Sequence, residues 1–259
     1  MHRISFVILL LVLAGLGFQH VCADESIPIT FSGTRDHVQF DGKWTFEYEW
    51  KETSLNTYHY ENDSKTIILR SAHQGNFVYI FIDAVDDESL DKQDKAVICF
   101  DTKNDKNKIP NSDDYCFSTI FGHGTGTAYQ GNPDYQENSY FSTIPNPAGY
   151  VGISAASDEH DRYSAVPHTG YEFRIPTETI GRENIYGFYF AVYDEHSDQY
   201  YTYPVMDHNA LMSSPSEWGE IYSPDKTLPE FYLPLLIVTI TLGFSAFFTK
   251  TGFGKRLQY

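Results

Sequence analysis

Seven short runs limit what this chain can fold into: TIILRSA (66–72), NFVYIFIDA (76–84), KAVICFD (95–101), DYCFSTIF (114–121), YVGISAA (150–156), GYEFRIP (170–176) and IYGFYFAVYD (185–194). Each is rich in aromatic and β-branched residues and bounded by Gly, Pro, Asn or Asp, the pattern of strands between tight turns. Between residues 24 and 230 no stretch of helix length keeps a helical apolar period. Only TETIGREN (177–184) reads as a helical turn, with Thr177 as its N-cap. The expected fold is all-β, an antiparallel β-sandwich of jelly-roll-like form. The 20 Tyr and 19 Phe, against three Met, suit it. Residues 122–149 form a long Gly/Asn/Pro-rich excursion, and loops of such length are usually functional or flexible.

Both ends are apolar. Residues 1–23 carry one basic residue, Arg3, then an apolar run from Phe6 to Phe18 that closes on Val21-Cys22-Ala23. The run is shorter than the ~20 residues a bilayer requires, so it reads as a cleaved signal peptide rather than a first membrane helix. Phe231 to Thr249 contains no charge, which is long enough to span, and Lys250, Lys255 and Arg256 follow it. Basic residues stay cytoplasmic, which places the short tail inside and the preceding domain outside the cell. The expected organisation is a signal peptide (1–23), a β-sandwich ectodomain (24–226), and a C-terminal segment (227–259) with a transmembrane helix and basic tail.

Four of the 18 basic residues, Arg3, Lys250, Lys255 and Arg256, lie in the terminal segments. The span between carries 14 basic against 35 acidic residues, a formal −21. Such a surface repels nucleic acid and attracts cations, although acidity also serves solubility in salt. Cys22 leaves with the signal peptide, and Cys99 and Cys116 remain. An even pair in an exported chain points to a disulfide, with two buried free thiols as the alternative. Asn62-Asp63-Ser64 is the one glycosylation sequon, with Asn62 as acceptor.

Between the two cysteines lies DTKNDKNKIPNSDDY (101–115). As an EF-hand it fails: Lys103 occupies position 3, Lys106 stands where Gly is needed and Ser112 where Glu belongs. Calcium also binds other loops through carboxylates, and Asp101, Asp105, Asn107, Asp113 and Asp114 are the candidate ligands. A solvated polar hairpin stapled at its base is the alternative. An ion here would be structural, since no His or nucleophile cluster accompanies it. No GxSxG, HExxH or Walker motif is present, paired carboxylates carry no information among so many acids, and the chain is read as a non-enzyme. The ten His are scattered without ligand spacing and read mostly as surface residues.

Two resemblances add to this reading. Pro229-Glu230-Phe231, a hydrophobic span and a basic tail resemble the PEF-type C-terminal sorting signals of archaeal surface proteins. That likeness implies recognition by an archaeosortase and attachment at the outer face of the membrane; a plain membrane anchor fits the same segments. FDGKWTFEYEW (40–50), VYIFIDAVDDESLDKQDKAVICFDTKND (78–105), YEFRIP (171–176), YGFYFAVYDEHSDQYYTYP (186–204) and WGEI (218–221), in that order, resemble the family 9 carbohydrate-binding modules, β-sandwiches related to DOMON domains. This likeness implies a surface-anchored, non-catalytic binder of carbohydrate or envelope polymer, in a family with members that hold structural calcium. Sugars stack on aromatic rings. Trp44, Trp50 and Trp218 read mainly as core, and Tyr129, Tyr135, Tyr140 and Trp218 are the candidate contacts. The DOMON kinship raises a haem-binding redox module as the alternative, with Met206, His208 and Met212 in TYPVMDHNALM; loop residues are the better reading, and haem is disfavoured. A purely structural envelope protein is the third reading.

Overall fold

The computed structural model describes residues 26–61, 64–135, 140–206 and 210–224. In chain order its strands are β1 (Ile27–Pro28), β2 (Thr30–Phe31), β3 (Ser54–Tyr60), β4 (Lys65–Gln74), β5 (Phe77–Ala84), β6 (Lys95–Asp101) and β7 (Asp114–Ile120). They continue with β8 (Thr127–Gly131), β9 (Phe141–Ile144), β10 (Val151–Ala156), β11 (Thr169–Pro176), β12 (Ile185–Asp194), β13 (Gln199–Tyr203) and β14 (Gly219–Tyr222). Eight strands form one sheet in the order β1-β14-β12-β6-β7-β8-β9, with β13 also on β12. Six form the other, β10-β11-β5-β4-β2, with β3 also on β4. The two sheets pack as a sandwich. Pairing is antiparallel except at two short edges, β1 on β14 and β2 on β4.

Strand periodicity explains the core. Along β12, Tyr186, Phe188, Phe190 and Val192 face inward and join Ile80, Ile82, Ile98, Phe100, Phe117, Tyr171 and Phe173 between the sheets. Fully burying one such side chain contributes about 1.5–3 kcal/mol. The intervening residues are buried too, because each sheet carries a further layer on its outer face. Residues 38–50 lay Trp44 and Trp50 over Tyr79 and Phe81 of the six-stranded sheet. On the eight-stranded sheet, Trp218 covers Val97, Cys99, Cys116, Tyr189 and Ala191, with Met206, Leu211 and Met212 beside it. Covering both faces is why β5, β6 and β12 read as nearly continuous apolar runs rather than strict alternations.

Three local features differ from the sequence reading. The 122–149 excursion contains β8 and β9, which continue the eight-stranded sheet. Thr177 opens a single helical turn (Thr177–Ile180) without capping it; its hydroxyl donates to the Asn76 carbonyl instead. His168 is fully buried. The disulfide is present: Cys99 and Cys116 stand opposite one another on β6 and β7, with Cα atoms 4.1 Å apart.

The six-stranded sheet has little free edge. On one side β2 and β3 divide β4 end to end, pairing with residues 72–73 and 65–71. On the other, loop backbone occupies β10: Gly122 N–H donates to Ser154 O (3.2 Å), Ser154 N–H to His123 O (3.3 Å), and Ala155 N–H to Gly42 O (3.3 Å). Among the described residues no helix is long and apolar enough to cross a membrane. The signal peptide, Asn62, the Pro229-Glu230-Phe231 motif and the apolar span that follows it all lie outside those residues.

Candidate functional site

The outer face of the six-stranded sheet concentrates charge and aromatics. Arg70 on β4, Phe81 on β5 and Glu172 on β11 are in register across three strands. Trp50 stacks on Phe81 at 5.4 Å and Trp44 meets its edge at 6.2 Å. The Arg70 guanidinium lies 5.5 Å over the Trp44 ring, and Arg35 lies 5.2 Å over Trp50, contacts that stabilise a cation against an indole face.

Glu172 organises the loop above. Its Oε1 accepts the Trp50 indole N–H (3.1 Å), and its Oε2 accepts the Asp41 and Gly42 amides at 2.9 and 2.7 Å. Burial pushes its carboxyl well above the usual range, with the charge of Glu49 adding to the effect against the pull of these donors. Gly42 is required twice over. Its φ is +89°, and a Cβ there would come within 2.3 Å of the Ala155 nitrogen. The Asp-Gly-Lys-Trp stretch is therefore a clamp that seats Trp44. Lys43 closes it from outside by pairing with Asp158.

Over Trp44 lies an open cleft of about 420 Å³, lined by Trp44, Thr45, Phe46, Glu47, His160 and Arg162. Trp44 is its floor, held by an indole N–H bond to the Phe46 carbonyl and by the Tyr163 ring at 5.9 Å. Phe46 is 37% exposed. Glu47, His160 and Arg162 are exposed as well, giving the cleft a carboxylate, an imidazole and a guanidinium around an aromatic base.

The acidic loop forms a second candidate locus. Carboxylate oxygens of Asp101, Asp105 and Asp113 all lie within 4.8 Å of one another. Asp101 is fixed by the Lys103 and Lys106 amides (3.2 and 2.9 Å), and Lys103 Nζ approaches Asp113 at 3.7 Å. Asp113 Oδ2 and Asp114 Oδ1 are buried without a hydrogen-bond partner. Burial raises both groups, Asp114 to about 7. Asp114 stands opposite Asp101 across β6 and β7 but accepts the Asn111 amide, outside the trio, and Asn107 donates its side-chain N–H to Asp105. The donors are hard oxygens and one buried carboxylate oxygen is unmet within the trio, so the residues fit a calcium ion.

The three candidate tyrosines all belong to the β8–β9 hairpin. Tyr129 on β8 packs against the outer cluster of the eight-stranded sheet, Tyr135 is 37% exposed, and Tyr140 is half-buried at a φ of +59°. Trp218 is stacked by Phe141 and Tyr189 at 6.2 and 6.1 Å, and its indole N–H donates to Ser213. Met206 and Met212 pack against the same cluster, and His208 lies outside the described residues. Phe46, Glu47, His160 and Arg162 were not singled out in the sequence; the only signal for them was proximity of Phe46 and Glu47 to the Asp-Gly-Lys-Trp motif.

No protein-family model matches the chain, and no curated protein matches it. Among solved structures, the chain is similar to a family 9 carbohydrate-binding module from Caldicellulosiruptor kristjanssonii in complex with cellotriose, with a TM-score of 0.47 and 17% identity, over 79% of this chain and 98% of that one.

Proposed function

We propose that this chain is a non-catalytic carbohydrate-binding module held at the outer face of the cell membrane, taking a glycan or envelope polymer in the cleft over Trp44. The cleft is the observation that carries this reading. A sugar ring offers an apolar C–H face and a rim of hydroxyls, so its site needs aromatic surface with a few convergent donors and acceptors. The exposed ring of Phe46, backed by the buried Trp44, supplies the first; Arg162, His160 and Glu47 supply the second. The stretches 40–50 and 171–176, which carry the sequence resemblance to family 9 modules, build this floor through Glu172 and Gly42. Anchoring is inferred from the uncharged span 231–249 and the cations beyond it, with archaeosortase processing at Pro229-Glu230-Phe231 as its route. Calcium is assigned to Asp101, Asp105 and Asp113 as a brace for the β6–β7 loop.

The test is binding of the full chain, in a detergent without a sugar headgroup, to a panel of soluble oligosaccharides and insoluble polysaccharides. Phe46→Ala and Arg162→Ala alter exposed side chains and leave the buried floor in place. Binding by the parent chain that falls tenfold or more in both variants supports the cleft. A chain that binds no glycan, or variants that bind as the parent does, would overturn it.

A further inference from the structure

Behind one wall of the cleft, three ionisable side chains from separate stretches of chain meet in the interior. Asp83 lies near the end of β5, His168 immediately precedes β11, and Asp161 sits in the 157–168 loop between β10 and β11. All three side chains are 0% exposed. His168 Nε2 is 2.6 Å from Asp83 Oδ1 and 3.8 Å from Asp161 Oδ1, and one donor atom from each residue lies within a 4.8 Å set.

Their surroundings orient the imidazole. His168 Nδ1 lies 2.7 Å from the Val166 carbonyl and 2.9 Å from Ser157 Oγ. A carbonyl only accepts, so Nδ1 carries a hydrogen and Nε2 is the atom turned to the carboxylates. Asp161 Oδ1 is held by the Tyr163 and Ser164 amides at 2.7 and 3.1 Å. The second oxygens, Asp83 Oδ2 and Asp161 Oδ2, are buried and have no hydrogen-bond partner. A buried acceptor left unmet is costly, more so when it carries charge. One imidazolium cannot neutralise two buried carboxylates. The cluster is short of positive charge: the Oδ1 atoms of both aspartates face one oriented imidazole nitrogen, and each of these carboxylates keeps a second oxygen buried and unmet.

We propose that Asp83, Asp161 and His168 form a site for a divalent transition metal of the zinc class, which pins the 157–168 loop to the six-stranded sheet. An imidazole with carboxylates suits zinc at ~2.0–2.2 Å from each donor, whereas calcium takes six to eight oxygens. The unmet Oδ2 atoms are further oxygen donors on the same two carboxylates. Seating the ion requires the 2.6 Å contact between His168 and Asp83 to open by several tenths of an ångström. Asp161 is flanked in sequence by His160 and Arg162, both of which line the cleft. An ion here therefore fixes the wall that carries those two side chains. The site itself stands independently of what the cleft binds.

The full chain, stripped with EDTA and titrated with zinc in excess calcium, is dialysed and its metal content measured. The expected result is one retained equivalent of zinc, a rise of several degrees in melting temperature, and X-ray absorption at the zinc edge showing one imidazole among oxygen donors. Asp161→Asn keeps an oxygen for the two loop amides and removes the charge; zinc affinity should fall tenfold or more with an unchanged circular dichroism spectrum. Failure to retain zinc, or undiminished affinity in Asp161→Asn, overturns the proposal. If that variant misfolds, the absorption spectra of the parent and of His160→Ala decide together. One imidazole retained in both supports the site. Its loss in His160→Ala places zinc on the Asp158–Glu159–His160 group, two or more imidazoles place it on surface histidines, none places it on the acidic loop, and each of these three results overturns the site.

Discussion

The Glu172 carboxylate on β11 accepts the Gly42 amide at 2.7 Å, across 130 positions of sequence. One side chain thus ties the loop that seats Trp44 to the middle of the six-stranded sheet. Replacing it by alanine leaves the buried N–H groups of Gly42 and Trp50 and the part-buried amide of Asp41 without their acceptor. Glu172→Ala should lower unfolding stability by about 3–5 kcal/mol, read from the urea midpoint. Glu172→Gln, which keeps one acceptor oxygen, should cost less.

The cystine joins strands whose cysteines are 17 residues apart in sequence. Closing a loop of this size removes about 3 kcal/mol of chain entropy from the unfolded state in the simplest account. Cys99→Ser with Cys116→Ser should therefore lose about 2–4 kcal/mol, and reduction of the parent chain should match it. Because the bridge sits at the base of the acidic loop, the double variant should also bind calcium more weakly by titration calorimetry.

Calcium should raise the melting temperature of EDTA-treated protein by several degrees through linkage. Asp105 is exposed, so Asp105→Asn removes a ligand while the fold stands. The calcium shift should vanish in that variant. An equal shift in both chains would place the ion elsewhere.

Asp94 governs a pH dependence. It is fully buried, and its two oxygens accept the Asp91 and Glu195 amides at 2.6 and 2.9 Å. Burial raises its pKa to about 6 from 3.8, with those donors pulling the other way. A raised carboxyl binds its proton more tightly when folded, so its contribution is greatest below pH 3.8 and is lost as pH rises through about 6. The slope attributable to one group cannot exceed roughly 1.4 kcal/mol per pH unit. The difference in stability between the parent and Asp94→Asn should change across pH 4 to 6 in that direction and be flat above pH 7, as measured by denaturant titrations.

The long strands were legible because both their faces are buried: runs such as YIFIDA and YGFYFAV have no competing reading once helical period is absent. β6 and β12 match the predicted runs end to end. The strands β1, β2, β3, β8, β9, β13 and β14 were not seen. β3 reads SLNTYHY, half polar with exposed Leu55, and pairs only with β4, so tertiary pairing rather than composition makes it a strand. β8 and β9 hide in a Gly- and Asn-rich stretch for the same reason. The cysteine pair was visible from parity and compartment. The Asp83–His168 contact was not, because 85 positions separate two residues that carry no local pattern. Likewise, the rings of Trp44 and Trp218 look alike in sequence; only the packing shows one flooring a cleft and the other stacked by Phe141 and Tyr189.

The occupied margins of the six-stranded sheet bear on how copies of this chain behave when crowded. An open strand edge is a template on which another molecule adds its own strand, and growth of that kind leads to fibres. Here β2 and β3 break one margin into two short pieces, and the backbones of Gly42, Gly122 and His123 occupy part of the other. Neighbouring copies packed side by side at high density therefore find little continuous ladder to extend on this sheet, and their association is left to side chains.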